Sequence, residues 1–300
     1  MPLFCERKRV PTLLAPAKIN ATLEILSRRE DGYHTLRSVM LPIALYDRID
    51  LQSSAAPTFA ASDPALANDN LVMRALAAAG AERRFAAMLH KSIPVGGGLG
   101  GGSSDAAAVL RAAMEGELGD VAEIDWLAAA RSIGSDVPFF LAGTGALVEG
   151  TGERVTAIGT LPEWWVVVAR PHAFVPTADA YRLLDGARTA PGGEAPSRPR
   201  ATSASLAVVD ALQRRDFAAF AATLVNDFHD VILAAFPEVA RTDAALRRAG
   251  AEHVLLSGSG SCLFAAFETE ERARETAARV APDAFEALFT VPLHHDRAWR

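Results

Sequence analysis

Cysteine is nearly absent: Cys5 and Cys262 are the only two in 300 residues. A disulfide-stapled secreted scaffold is therefore excluded, and a reducing, cytoplasmic setting is expected. No C-x-x-C or H-E-x-x-H spacing occurs, so the chain carries no zinc signature. A basic surplus is also missing. Thirty Lys+Arg face 36 Asp+Glu, a net charge of −6. That argues against a general nucleic-acid binder, while one small anionic ligand held by a local cluster stays open. Long apolar runs are lacking too. Trp164 to Ala169 is typical, far short of the roughly 20 residues that cross a bilayer. The early charges Glu6, Arg7, Lys8 and Arg9 fall where a signal peptide is apolar.

The remaining composition is that of a folded globular protein, with 50% hydrophobic and 22% charged residues. A chain this long makes two domains or one large one and buries about three quarters of its unfolded surface without a staple. Alternation around Ile19, Ala21, Leu23 and Ile25 predicts a strand within 12–26, and Asp31-Gly32 marks a tight reversal after it. One or two further strands are expected over 36–51. A helix is expected over 70–79 with Asp69 as its cap, and a strand over 88–94. Helices are expected over 106–114, 124–133, within 206–248 and over 269–280, the last capped by Thr269. Short strands should occupy 143–149, 155–158, 164–170, 253–256, 262–267 and 288–291. The Gly-, Pro- and Ser-rich stretch 186–205 reads as a mobile loop. Strands cluster with helices interspersed, so the fold class is α+β. The Leu161-Pro162-Glu163 punctuation places a division into 1–165 and 166–300.

Six glycines in the seven positions Gly96 to Gly102 lie between a strand and a helix expected to start at Ser103-Ser104-Asp105. Glycine admits positive φ and close approach of a ligand to the backbone. Successive amides can then form one anion-binding nest at the positive end of the helix dipole. Phosphate is the natural guest. Gly96, Gly98 and Gly101 also satisfy G-x-G-x-x-G, which leaves a nicotinamide-dependent oxidoreductase as a rival reading. That match is weak in so glycine-rich a run, and the loop does not follow the first strand. No Gly-Lys-Ser/Thr follows it, so a Walker loop is excluded.

Three segments together resemble the GHMP kinase superfamily, named for galactokinase, homoserine, mevalonate and phosphomevalonate kinases. They are Ala15-Pro-Ala-Lys-Ile-Asn20, Pro94-Val-Gly-Gly-Gly-Leu-Gly-Gly-Gly-Ser-Ser104 and Leu256-Ser-Gly-Ser-Gly-Ser-Cys-Leu-Phe264. Arg29-Glu-Asp-Gly-Tyr-His34, Gly134-Ser-Asp-Val-Pro138 and Pro176-Thr177 with Tyr181 four residues on narrow the likeness. It narrows to the branch acting on a cytidine diphosphate-linked methylerythritol in isoprenoid precursor synthesis. The resemblance covers residues 12–267 in order and spacing.

It implies a two-domain GHMP fold with the active site in the interdomain cleft, and ATP and Mg²⁺ as its small molecules. Pro94, Val95, Gly96, Gly97, Gly98, Leu99, Gly100, Gly101, Gly102, Ser103 and Ser104 carry over as the nucleotide site. Asp136 carries over as the base and Lys18 as its cationic partner. Asn20, Tyr33, His34, Thr177 and Tyr181 carry over as substrate contacts, with the aromatic rings stacking the pyrimidine. Lys91 and Asn70 match positions near the adenosine. No carboxylate pair names the metal's protein ligands. On the residues alone, other readings stand beside these. Asp136 also suits a turn, Lys18 a snorkelling surface lysine, and Tyr33-His34 an exposed reversal. Another small-molecule kinase of the homoserine or mevalonate type is the rival within the superfamily. No nucleic-acid or membrane partner is expected, and the oligomeric state is open.

Overall fold

Two long strands organise the N-terminal half. In the computed structural model, which describes residues 12–66, 70–119, 121, 124–189 and 203–294, β1 spans Leu13–Arg28 and β2 spans His34–Ser53. They pair antiparallel through the Asp31-Gly32 turn, where Gly32 takes φ +87°. The stretch 36–51 is thus one continuous strand. Its far edge is long enough to pair twice. Residues 36–40 pair with β5 (Gly145–Gly150), and 48–53 pair with β4 (Phe85–His90). β3 (Phe59–Ala61) and β6 (Arg154–Gly159) extend these edges.

Helices α1 (Leu71–Ala78), α2 (Gly101–Met114), α3 (Trp126–Ile133) and α4 (Val137–Ala142) accompany this sheet. The cap of α1 is Asn70, whose side chain accepts from the Met73 amide at 3.0 Å; Asp69 lies outside the described residues. Alanines 106, 107, 108, 112 and 113 of α2 are buried, so the helix lies close on β1 and α4. α4 was not expected from sequence. Pro138 suits its first turn and Gly143, at φ 69°, ends it.

A second sheet holds β7 (Trp165–Arg170), β9 (Val254–Leu256), β10 (Leu263–Phe267) and β11 (Ala287–Pro292) in the order β11-β7-β10-β9. Around it lie α5 (Thr177–Thr189), α6 (Ala204–Arg214), α7 (Phe217–Ala222), α8 (His229–Ala235), α9 (Pro237–Arg248) and α10 (Glu270–Arg279). Thr269 caps α10 as expected. The expected loop 186–205 is helical at both of its ends. α5 continues to Thr189 and α6 begins at Ala204; residues 190–202 lie outside the described residues. The chain changes sheet between β6 and β7. β8 (Val225–Asn226) is the exception, since it returns to pair with β1. Mostly antiparallel pairing removes the doubly wound parallel sheet that an oxidoreductase reading needs.

One apolar cluster lies between the first sheet and α1–α4. A second joins Ile19, Leu41 and Ile43 of the first sheet to Val166, Val168 and Phe264 of the second, closed by Val208 and Phe220. A third fills the far side of the second sheet against α5, α8, α9 and α10. The halves therefore share a core rather than a linker.

β1 also carries polar residues at Lys18, Asn20, Thr22 and Glu24, all buried. Glu24 anchors the start of α6. Its carboxylate accepts from the Ser203 and Ser205 hydroxyls at 2.8 and 2.6 Å and from the Ala204 and Ser205 amides at 3.3 and 3.1 Å. Burial disfavours its charge, but these bonds outweigh burial and hold its pKa below the ordinary value. The stabilisation is therefore full above the unfolded pKa of about 4.3 and disappears as pH falls through the folded value. Urea denaturation of Glu24→Gln should show a loss of about 1–3 kcal/mol at pH 7 that narrows below pH ~4.

Candidate active site

The glycine run ends sooner than its sequence implies. α2 begins at Gly101, inside the run, with Gly100 as its cap at φ 72°. No side chain caps this first turn. Ser103 and Ser104 are already helical, and their capping role falls away. The leading amides of α2 are left to a ligand, as at a phosphate-binding helix start. A cavity of about 350 Å³ lies there, lined by Pro94 through Ser103, Lys91 and Asn70. Leu99 contributes backbone at this wall, because its side chain is 1% exposed within the core shared by both sheets. Ser104 is buried, and its hydroxyl has no hydrogen-bond partner among the described residues.

The second glycine loop, 257–261, locks onto the first. Gly98 takes φ +76°, and a Cβ there would sit 2.1 Å from the Ser257 carbonyl oxygen. Ser257 Oγ donates to the Gly98 carbonyl at 3.0 Å, and the Cys262 amide donates to Gly97 O at 3.1 Å. Cys262 is buried, and burial pushes its thiol up to about 12.

Lys18 lies beside this contact. It is 3% exposed, so it does not snorkel. Its ammonium donates to Gly98 O at 2.8 Å and to Asn20 Oδ1 at 2.5 Å, and stands 3.7 Å from Asp136 Oδ2. Burial pushes its pKa down, and the Asp136 charge opposes that. Asn20 is held in turn: its amide donates to Ser38 Oγ at 2.8 Å, and Ser38 Oγ donates to Thr22 O at 2.5 Å. Asp136 stands at the start of α4 with its side chain 25% exposed. It makes no capping bond, so the carboxylate is free to face the cleft.

That cleft is a cavity of about 1400 Å³ with Lys18, Asn20 and Asp136 in its wall. Tyr33, His34, Thr177 and Tyr181 line it too. Gly98 and Gly100 belong to both cavities, so the two spaces meet at the glycine loop. Tyr33 is exposed, at 69%, as the reversal reading anticipated, while the His34 side chain is buried at 7%. The Tyr181 ring stacks on His34, with centroids 4.7 Å apart and planes at 26°. One face of Tyr181 thus packs on His34, and Phe228 meets it edge-on with centroids 4.9 Å apart. Thr177 shares a hydroxyl–hydroxyl bond of 3.0 Å with Ser259 of the second glycine loop.

Two acids escaped the sequence reading. Lys91 Nζ donates to Asp47, and to Asp105 Oδ2 at 2.9 Å. Asp47 also accepts from the Ser92 and Ile93 amides, at 2.6 and 2.9 Å, which fixes the chain entering the glycine loop. Burial, with the Asp47 charge added, pushes Asp105 up to about 7 against the pull of Lys91. Neither stands out locally: Asp47 shares its strand with Arg48 and Asp50, and Asp105 falls at the expected helix start. Among the described residues, no three His, Cys, Asp or Glu form a metal-holding group.

The glycine contacts predict a sharp contrast. Gly98→Ala should lose at least about 2 kcal/mol of stability, through clash and a strained φ. A Cβ at Gly102 meets nothing nearer than Leu71 at 3.6 Å, within a helix. Gly102→Ala should leave stability unchanged or raise it by up to about 1 kcal/mol. Thermal melts of the two variants check this.

Comparison with known proteins supplies a name for this arrangement. The GHMP kinases N terminal domain matches residues 70–144, and the GHMP kinases C terminal domain matches 208–287. The 4-diphosphocytidyl-2-C-methyl-D-erythritol kinase of Deinococcus radiodurans is 39% identical over 274 residues, covering 89% of this chain and 87% of that protein. The kinase of the same name from Pelotomaculum thermopropionicum is 40% identical over 278 residues, covering 90% and 93%. A crystal structure of 4-(cytidine 5'-diphospho)-2C-methyl-D-erythritol kinase superposes with a TM-score of 0.77 at 35% identity, over 95% of this chain and 100% of that one. L. major mevalonate kinase shares the fold, with a TM-score of 0.68 at 13% identity over 99% and 100% of the two chains. The chain belongs to the GHMP kinases and, within them, to the 4-diphosphocytidyl-2-C-methyl-D-erythritol kinase family.

Proposed function

We propose that the chain transfers the γ-phosphoryl group of ATP to the C2 hydroxyl of 4-diphosphocytidyl-2-C-methyl-D-erythritol, a step of the non-mevalonate route to isoprenoid precursors. One observation carries the reading. The Lys18 ammonium bonds the carbonyl of Gly98 in the phosphate-type loop and faces Asp136 across 3.7 Å. A phosphoryl group held by the loop and a hydroxyl beside Asp136 then meet at one point.

The loop from Val95 to Gly100 and the leading amides of α2, Gly101 to Ser103, face the ATP phosphates, with Lys91 and Asn70 toward the adenosine; the Ser104 amide is already bonded to Gly100 O within the helix. The substrate hydroxyl oxygen attacks the γ-phosphorus, the bond from that phosphorus to the ADP oxygen breaks, and the hydroxyl proton passes to Asp136. A carboxylate is too weak a base to remove that proton beforehand. In a loose phosphoryl transition state the proton leaves late, so orienting the hydroxyl and then accepting is enough. Lys18, facing Asp136, offsets transition-state charge. Asn20, fixed by Ser38, orients Lys18. Mg²⁺ takes oxygen ligands and is carried largely by phosphates. The Asp136 carboxylate in the cleft wall is an oxygen donor that fits such an ion, which would neutralise phosphate charge. Tyr33, His34, Thr177 and Tyr181 hold the cytidine end. Because Tyr181 rests on His34, the exposed Tyr33 supplies the free aromatic face.

A coupled ADP-release assay with the cytidyl substrate, mevalonate and homoserine tests the reading; turnover with mevalonate or homoserine and none with the cytidyl substrate refutes it. Asp136→Asn should lower kcat at least about 100-fold while calorimetry still detects ATP binding. Tyr33→Ala should raise KM for the cytidyl substrate about tenfold, the size of one base stack, with KM for ATP unchanged.

A further inference from the structure

Asn226 lies on β8, the short strand by which the C-terminal half returns to β1. It is 5% exposed, and its side chain is held from both ends. Nδ2 donates to the Leu256 carbonyl at 2.7 Å and to the Gly258 carbonyl at 2.8 Å. Oδ1 accepts from the Phe228 amide at 2.9 Å. Carbonyls only accept and a backbone N–H only donates, so the reversed side chain would fail at all three contacts.

Asn226 lines neither cavity, but two of the segments it holds do. Gly258, with its neighbour Ser259, and Phe228 are in the wall of the large cleft and not of the nucleotide cavity. Gly258 is the point where the second glycine loop closes on the first: a Cβ there would stand 3.4 Å from Lys18 Nζ. Phe228 backs the Tyr181 ring from the other direction. Within the turn, the Gly260 amide donates to Ser257 O and the Ser257 amide to Cys262 O, at 3.0 and 2.9 Å. The Gly258 carbonyl takes no part in these two bonds and is met by Asn226. We infer that Asn226 is a positioning residue for the transfer reaction: by bonding the Gly258 carbonyl and the Phe228 amide at once, it holds the wall beside Lys18 at a fixed distance from the aromatic wall of the cleft.

An aspartate at 226 has the same shape and keeps the acceptor for Phe228, but it loses both donors. Ionised, it sets a negative oxygen against two carbonyls. Protonated, it donates to one of them. Burial and those carbonyls favour the protonated form, so its pKa lies above the ordinary value.

The inference rests on the kinase reading above, and its test separates the two. Steady-state kinetics of full-length Asn226→Asp should show kcat/KM for the cytidyl substrate at least about tenfold lower at pH ~8.5, the size of one lost buried hydrogen bond. KM for ATP should stay within about threefold of the unaltered value, because nothing that Asn226 bonds lines the nucleotide cavity. The deficit relative to the unaltered protein should narrow as pH falls to ~6, where protonation restores one bond. The charged and titratable neighbours are His229, whose Nδ1 accepts from the Leu256 amide at 3.2 Å, Asp227 with Arg188 at 3.0 Å, and Lys18 beyond Gly258. Both proteins share them, so their titration cancels in the ratio. Asn226→Ala removes all three bonds without adding a charge, and should show the same loss with no recovery at low pH. An unchanged kcat/KM in either folded variant overturns the inference. So does an equal rise in KM for both substrates, or an aspartate deficit that is the same at both pH values. Failure of both variants to fold overturns it too, since Asn226 then serves the fold and not the cleft. If the unaltered protein does not phosphorylate the cytidyl substrate, the proposed function falls instead.

Discussion

The carbonyl of Gly98 is where the molecule is tied together. It accepts from Lys18 of the first sheet and from Ser257 of the second glycine loop. The Lys18 amide donates to the neighbouring Leu99 carbonyl at 3.0 Å. A strand from one half, a loop from the other and the phosphate-type loop therefore meet on adjacent peptide groups. At two positions of this junction a Cβ would crowd the facing backbone: one at Gly98 would stand 2.1 Å from Ser257 O, and one at Gly258 3.1 Å from Gly98 O. The two loops interlock because both of these positions are glycine.

This junction also settles how a lysine can be buried. Desolvating an ammonium costs several kcal/mol unless its protons are satisfied. Lys18 has a carbonyl, an amide oxygen and a carboxylate around it. Behind it the row continues through Asn20, Ser38, Thr22 and Ser205 to Glu24. A polar track thus runs along β1 from the cleft to the start of α6. It supplies what the apolar alternation of the same strand cannot, a fixed orientation for Lys18 and Asn20 at the cleft wall.

Several elements were legible because short-range rules govern them. The Asp31-Gly32 reversal, the Thr269 cap and the strand alternation of 19–25 depend on neighbours within a few residues. The nest at Gly96 to Gly102 was legible for the same reason, since glycine alone tolerates its positive φ values. Other features were misread where tertiary packing decides. Ser103 reads as a helix start, but Gly100 can adopt the left-handed cap and lets the helix begin earlier. Gly186 reads as a loop, yet α5 runs through it. Asp47 and Asp105 gave no local signal, because their meaning depends on Lys91 lying between them.

Composition, the glycine run and the motif order determined by themselves that this chain folds as an α+β protein with a phosphate-type loop, since these depend on backbone freedom and local pattern. Only the folded chain decided that Lys18 faces Asp136, residues 118 positions apart in sequence, and that Asp185 holds His34 from the far half. Such contacts join segments that share no local signal. Their geometry is set by how two sheets pack on one core, and no stretch of sequence contains that information alone.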